Sequence, residues 1–383
     1  MNSTGNSTGS VQLEFDPKVN KLSKKKELRH GLSSVMRVGN TIWVTNDETI
    51  SLERFSLQGI TDTGLYEYGE HKQFALNEYL PLPVPPLVDS TGKVKIEEAD
   101  IEGLDYKDGY LWLVGSHSLK RKQVGEKDSI EENFERLAKV SKDGNRFLLA
   151  RIPLVESGGT YTLEKETNAH NQKRTAALLS CSAEGSALTA ALAADVHLKD
   201  FLAIPGKDNG FDIEGLAVKG SRVFVGLRGP VLRGWAVVLE LEPVVESGNP
   251  SELTLKEINQ GAPQQPTYRK HFLDLGGLGI RDLYAQGSDL LILAGPAMDL
   301  DGPVSIFRWS GGAQPKRESI VGRDVVSKVK DIHYGQGEDH AEGMTLFSND
   351  NQGAESFLIV YDSASKSRLL GESSVKADIF SNL

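Results

Sequence analysis

The feature that most restricts this chain is a short segment that returns along it: an apolar-alternating run, a tight Gly, Asn or Asp turn, and a second run rich in β-branched and aromatic residues. One copy is Asp100-Ile101-Glu102-Gly103-Leu104-Asp105-Tyr106, the turn Lys107-Asp108-Gly109, and Tyr110-Leu111-Trp112-Leu113-Val114. A second is Asp212-Ile213-Glu214-Gly215-Leu216-Ala217-Val218, then Lys219-Gly220, then Val223-Phe224-Val225-Gly226. Looser copies open at Leu32, Gly279 and Ala341. Two alternating runs about a glycine turn specify a β-hairpin.

Further strand pairs follow several copies: Ala138–Ser141 with Arg146–Ala150, and Ala236–Leu241 with Glu252–Leu255. Two hairpins make a four-stranded unit, and such units repeated about an axis make a β-propeller. The expected fold is therefore all-β, a propeller of five or six four-stranded blades. The shared column Ser33, Glu102, Glu214, Arg281 and Glu342 is spaced by 69, 112, 67 and 61 residues. Those intervals exceed the roughly 40 to 50 of tight propeller repeats, so the loops are elaborate. Leu188, Leu192 and Val196 among alanines follow a helical period, which predicts a helical insertion at about 175–204. Residues 1–30 are expected to be a flexible N-terminus whose strand Val11–Phe15 closes the ring beside the last blade, and 31–383 a single propeller.

Charge narrows the partners. With 43 Lys and Arg against 53 Asp and Glu the formal charge is −10, which argues against nucleic acid and against a polybasic membrane anchor. No apolar run approaches the roughly 18 residues of a membrane span. Cys181 is the only cysteine, so an intrachain disulfide and a thiolate zinc cage are excluded and a cytoplasmic location is expected. Nucleotide-binding glycine loops are absent, which removes dehydrogenases, kinases and ordinary ATPases.

The chemistry is expected where the loops before the inner strands meet the loops after their partners. Asp100, Glu102, Asp212, Glu214 and Glu342 would gather at one mouth of the central channel, where close carboxylate pairs repel by about 1 to 4 kcal/mol. Calcium or magnesium bound by these five is one compensation. Ion pairing with Arg281 and Arg228 is a second, and scattered solvated carboxylates are a third. Arg228, Arg233, Arg281 and Arg121 are candidates to bind an anionic small molecule, the forked guanidinium suiting phosphate or carboxylate. His117, flanked by Ser116 and Ser118, is the candidate catalytic base, although no Gly-x-Ser-x-Gly elbow accompanies it.

The run Asn209–Ala217, with Gly226–Ala236, Leu278–Asp282 and Gly295-Pro296, resembles the bacterial domain-of-unknown-function family three-six-one-six from about Asp100 onward. That likeness implies the propeller and carries no activity. The shorter Asp-x-Glu-Gly-Leu signature is also similar to phytase-like and esterase-like propellers. It implies a ligand-binding or hydrolase-like protein in which calcium or magnesium bridges an anionic small molecule to Glu102, Glu214 and Glu342. The alternative is a non-enzymatic scaffold for protein–protein interaction, and the fold alone does not choose between them.

Overall fold

Each recurring segment forms an antiparallel hairpin, and its first strand lies innermost in its sheet. The computed structural model describes residues 7–23, 26–88, 90, 92, 94–169, 172–258, 266–349 and 355–381; the polar residues 1–6 lie outside them. The first sheet runs outward from β2 (Leu32–Val38) through β3 (Thr41–Asn46) and β4 (Ser51–Ile60) to β5 (Leu65–Ala75). The second runs from β6 (Ile101–Lys107) through β7 (Tyr110–Gly115) and β8 (Leu149–Ser157) to β9 (Ala177–Leu179). The third starts at β10 (Asp212–Lys219), β11 (Arg222–Leu232) and β12 (Trp235–Leu241). The hairpin β13 (Pro243–Glu246) and β14 (Asn249–Leu255) then leaves this sheet before β15 (Tyr268–Asp274) completes it. The fourth holds β16 (Gly279–Gln286), β17 (Asp289–Gly295) and β18 (Val304–Trp309). The short β19 (Ser319–Val321) precedes its outer strand β20 (Val326–Ile332). The last contains β21 (His340–Asn349), β22 (Glu355–Asp362) and β23 (Ser374–Ser381), finished by β1 (Gly9–Glu14) from the start of the chain.

Among the described residues, the inner strands β2, β6, β10, β16 and β21 pack one against the next, and β21 packs back on β2. The fold is thus an all-β propeller. Its apolar cores lie between neighbouring sheets: Trp43, Leu104 and Ile152 between the first two, Leu216, Val225 and Leu239 after the second, and Phe357 and Ile359 before the last. Full burial of one such side chain contributes about 1.5 to 3 kcal/mol, so each interface between sheets is a core in its own right.

The outer edges are tied by parallel pairings. β1 pairs antiparallel with β23 and parallel with β5, which joins the last sheet to the first. β14 adds to β9 of the preceding sheet, and β19 adds to β15. The expected pairing of Ala236–Leu241 with Glu252–Leu255 is therefore corrected: β12 bonds to β15, and Glu252 lies opposite Leu178 one sheet back. An unpaired outer edge is a row of open backbone groups, and a strand borrowed from the next unit covers it.

Helices also differ from expectation. Within the span 175–204 only α2 (Ala187–Leu192) is α-helical, capped by Ser186 and Thr189 and anchored by buried Leu188 and Leu192, while Ala177–Leu179 is strand. The longer helix is α1 (Ile130–Ala138), which begins at a Ser129/Glu132 capping box. It absorbs Ala138, so the expected strand there shrinks to Val140-Ser141, paired with Lys120-Arg121.

Candidate functional site at the channel mouth

The local device that builds the site is a β-bulge. In β6 the ladder passes from Ile101 opposite Gly115 to Gly103 opposite Val114, leaving Glu102 as the extra residue. The same slip occurs at Glu214 in β10, Arg281 in β16 and Glu342 in β21. A bulge re-aims the side chain of the extra residue, and here it does so at the mouth end of successive inner strands. The glycine that follows permits the strands to approach: a Cβ on Gly103 would stand 2.6 Å from Leu216 Cβ, and one on Gly343 2.9 Å from Ser34 Cα. In β16 that place is Asp282, whose carboxylate accepts from the backbone N–H of Leu283 at 2.8 Å and of Met344 on β21 at 2.7 Å. In β2 the column residue Ser33 donates to the carbonyl of Ile101 at 2.9 Å.

Guanidiniums hold much of the acid. Arg281 Nη1 lies 3.1 Å from Glu214 and 2.8 Å from Glu342, and its Nη2 donates to the Pro296 carbonyl at 3.0 Å. Arg228 Nη1 lies 2.8 Å from Glu214 and 3.9 Å from Asp212, while its Nε donates to the Ala297 carbonyl at 3.0 Å. Asp100 is taken by Arg146 at 2.6 Å. Burial and the neighbouring Glu214 push Asp212 up to about 7, against the pull of Arg228. Glu102 has no hydrogen bond or ion pair among the described residues. Removal from bulk water, then Asp100, Glu214, Glu342 and Asp47, hold its carboxyl well above the usual range. Asp47, in the loop after β3, is pushed up to about 8 by burial and by Asp362.

The nominated residues therefore divide. Glu102, Glu214, Glu342, Asp100, Asp212, Arg228 and Arg281 form one neighbourhood. Four of the five nominated carboxylates are engaged by guanidiniums, and among the described residues no group of three or more His, Cys, Asp or Glu side chains is arranged to hold a metal ion. The donor set does not fit calcium or magnesium. Arg233 sits exposed on the two-residue turn between β11 and β12, and Arg121 is bound to Asp208 at 2.7 Å; neither lines the cleft described below.

His117 is buried with Nδ1 2.9 Å from the Gly115 carbonyl, its Nε2 unpartnered and its ring edge-on to Phe147. Burial pushes the imidazole down to about 4. Ser116 and Ser118 bond to each other and to Arg146 instead, and among the described residues no hydroxyl bonds to His117.

Lys207 and Asp362, which the repeats did not single out, complete the mouth together with His340, the first residue of the inner strand β21. A narrow cleft of about 40 Å³ lies beside Arg228, Arg281 and Glu342, with Lys207, His340 and Asp362 on its walls. Lys207 Nζ is 4.0 Å from Asp299, too far for a hydrogen bond, and Arg228 Nη2 makes none among the described residues. Lys207 lies in the 3₁₀ turn Gly206–Asp208 just before β10, a loop without alternation or motif to mark it.

The sequence profile of Protein of unknown function (DUF3616) matches residues 31–378. The chain belongs to this family. No curated protein matches it. Among solved structures, this DUF3616 protein is similar to the glutaminyl cyclase of Myxococcus xanthus at 8% identity and a TM-score of 0.38, covering 98% of this chain and 100% of that one. It is similar to the PQQ-bound aldose sugar dehydrogenase of Streptomyces coelicolor at 9% identity and a TM-score of 0.34, covering 99% and 98%. A mutant Trypanosoma rangeli sialidase displaying trans-sialidase activity gives 9% and 0.35, with 99% of this chain matched to 58% of that one. Likenesses this low carry nothing about activity. Among the described residues no helix is long and apolar enough to cross a membrane.

Proposed function

We propose that the channel mouth binds a small molecule through an anionic group, received by Lys207 and Arg228. The observation that carries this reading is a pair of cationic donors left without a full set of partners over one cleft. Arg228 is fixed by Glu214 and the Ala297 carbonyl, which leaves Nη2 for a ligand, and Lys207 stands beside it, 4.0 Å from Asp299 and with no hydrogen bond among the described residues. A preoriented guanidinium and a mobile ammonium suit phosphate or carboxylate. Arg281, engaged by Glu214, Glu342 and the Pro296 carbonyl, acts as the internal cation that keeps the mouth from being purely acidic. In a hydrolase-like version of this reading, Glu102 is the proton donor, because removal from bulk water and the carboxyl groups around it hold its own carboxyl well above the usual range.

Calorimetric titration with inorganic phosphate tests the reading. A charge-assisted bond is worth about 1.5 to 3 kcal/mol, so Lys207→Ala should weaken phosphate by about 10- to 100-fold while Arg233→Ala leaves it unchanged. Equal affinity in wild type and Lys207→Ala would overturn the assignment.

A non-enzymatic interaction scaffold has one observation in its favour. On α1, Ile130, Phe134 and Leu137 form a stripe at 71%, 70% and 46% exposure. An apolar stripe facing water is a common form of partner surface.

A further inference from the structure

The mouth cleft is too small for more than a head group, and a much larger cavity adjoins it. A groove of about 640 Å³ lies between the loop after β15 and the strands β18 and β20, floored by Leu275, Leu278, Phe307 and Ile332. Its volume falls in the range of about 300 to 1,000 Å³ that holds small organic ligands. Val304 and Tyr334 line both the groove and the cleft, so the two spaces meet across these side chains. On the cleft side, the loop 296–303 adds Met298 at 44% and Leu300 at 60% exposure, apolar groups facing water at the rim of a charged site. The polar groups nearest the groove are already spent: Lys328 pairs with Asp331 at 2.8 Å and Arg323 with Asp274 at 3.0 Å. The groove therefore offers apolar contact, and Lys207 and Arg228 line the cleft that shares Val304 and Tyr334 with it.

We propose that the ligand is a free amphiphile, with an anionic head on Lys207 and Arg228 and an apolar body in the groove beneath Tyr334. This rests on the anion reading above and adds the chemical class of the molecule. Burial of one methylene is worth about 0.8 kcal/mol, which is a factor of about four in affinity.

The test is a titration series of ethyl, butyl and hexyl phosphate against inorganic phosphate, with hexanol as the headless control and anionic phospholipid vesicles as a membrane control. Affinity should rise about fourfold per methylene from ethyl to hexyl phosphate, hexanol should bind far more weakly than hexyl phosphate, and the vesicles should not sediment the protein. Leu278→Ser should flatten the increment with chain length while leaving inorganic phosphate unchanged. Phosphate binding with a flat alkyl series would overturn the amphiphile and leave the anion site standing. Absence of phosphate binding, with hexanol equal to hexyl phosphate, would overturn the anion site itself. Co-sedimentation with vesicles would overturn the free ligand in favour of a membrane lipid.

Discussion

Replacing Glu214 by Gln removes the carboxylate that two guanidiniums share. Glu214 is 4% exposed, accepts from Arg228 at 2.8 Å and lies 3.1 Å from Arg281. Breaking a buried ion pair by deleting one partner costs about 3 to 5 kcal/mol, because the remaining charge stays out of water. Here the cost belongs at the lower end. Arg281 retains Glu342 at 2.8 Å, while Arg228 retains only Asp212 at 3.9 Å and the Ala297 carbonyl. At about 2.1 cal/mol/K of unfolding entropy per residue, this chain carries about 0.8 kcal/mol/K, so a loss of about 3 kcal/mol lowers the melting temperature by about 4 °C. Glu252→Gln is the control: among the described residues its carboxylate meets only the Asn249 side chain, at 3.1 Å, away from the mouth, and the change should stay below about 0.5 kcal/mol, under 1 °C. Calorimetric melting of wild type and both variants, with and without chelator, gives the answer. Ion pairing predicts a destabilised Glu214→Gln and no chelator response in any of the three. A wild type that melts earlier with chelator, beside a Glu214→Gln that ignores it, would refute the reasoning and return the mouth to a metal. A variant that melts with the wild type would show that the pair is not buried in solution.

Two further expectations follow from the same geometry. Asp47 titrates at about 8 in the folded state, so above that pH it adds negative charge to the mouth. Sulfate, whose own charge is constant, should bind more weakly as pH rises from 7 to 9, and Asp47→Asn should flatten that dependence. Because this folded pKa is raised, the associated stability is full below about pH 4 and is lost as pH rises through about 8; a pH-independent sulfate affinity in wild type would remove Asp47 from the mouth. Deleting residues 1–15 withdraws β1 and with it Val11, Leu13 and Phe15, each no more than 1% exposed. At about 1.5 to 3 kcal/mol per side chain the loss approaches the whole stability of a domain, so the truncated chain should fail to melt cooperatively. A sharp native-like transition would show that the ring closes without β1.

What the sequence alone determined is local. A hairpin is written within about 15 residues, so alternation, the Gly turns and the recurrence of Glu102, Glu214 and Glu342 before glycine declared the strands, the propeller and the acidic column. The two Arg residues able to neutralise that column were visible as well, since Arg281 stands in it and Arg228 follows the partner strand. Only the tertiary structure decided which acids they take: the bulge at each column residue turns side chains from different sheets toward one another, and Arg281 bridges residues 67 positions before it and 61 after it. The same holds for Asp47 and Lys207, which lie in loops whose sequences carry no period, and for Arg146, which reads in sequence as the start of a strand but takes Asp100 from the 3₁₀ turn Gly144–Phe147. Strand β14 looked like a partner for β12 because the two are neighbours in sequence, yet it pairs where an open edge waited in the sheet before. Periodicity is a property of the chain against its own core. Convergence of charges and the pairing of edges depend on how separate sheets are placed around the axis.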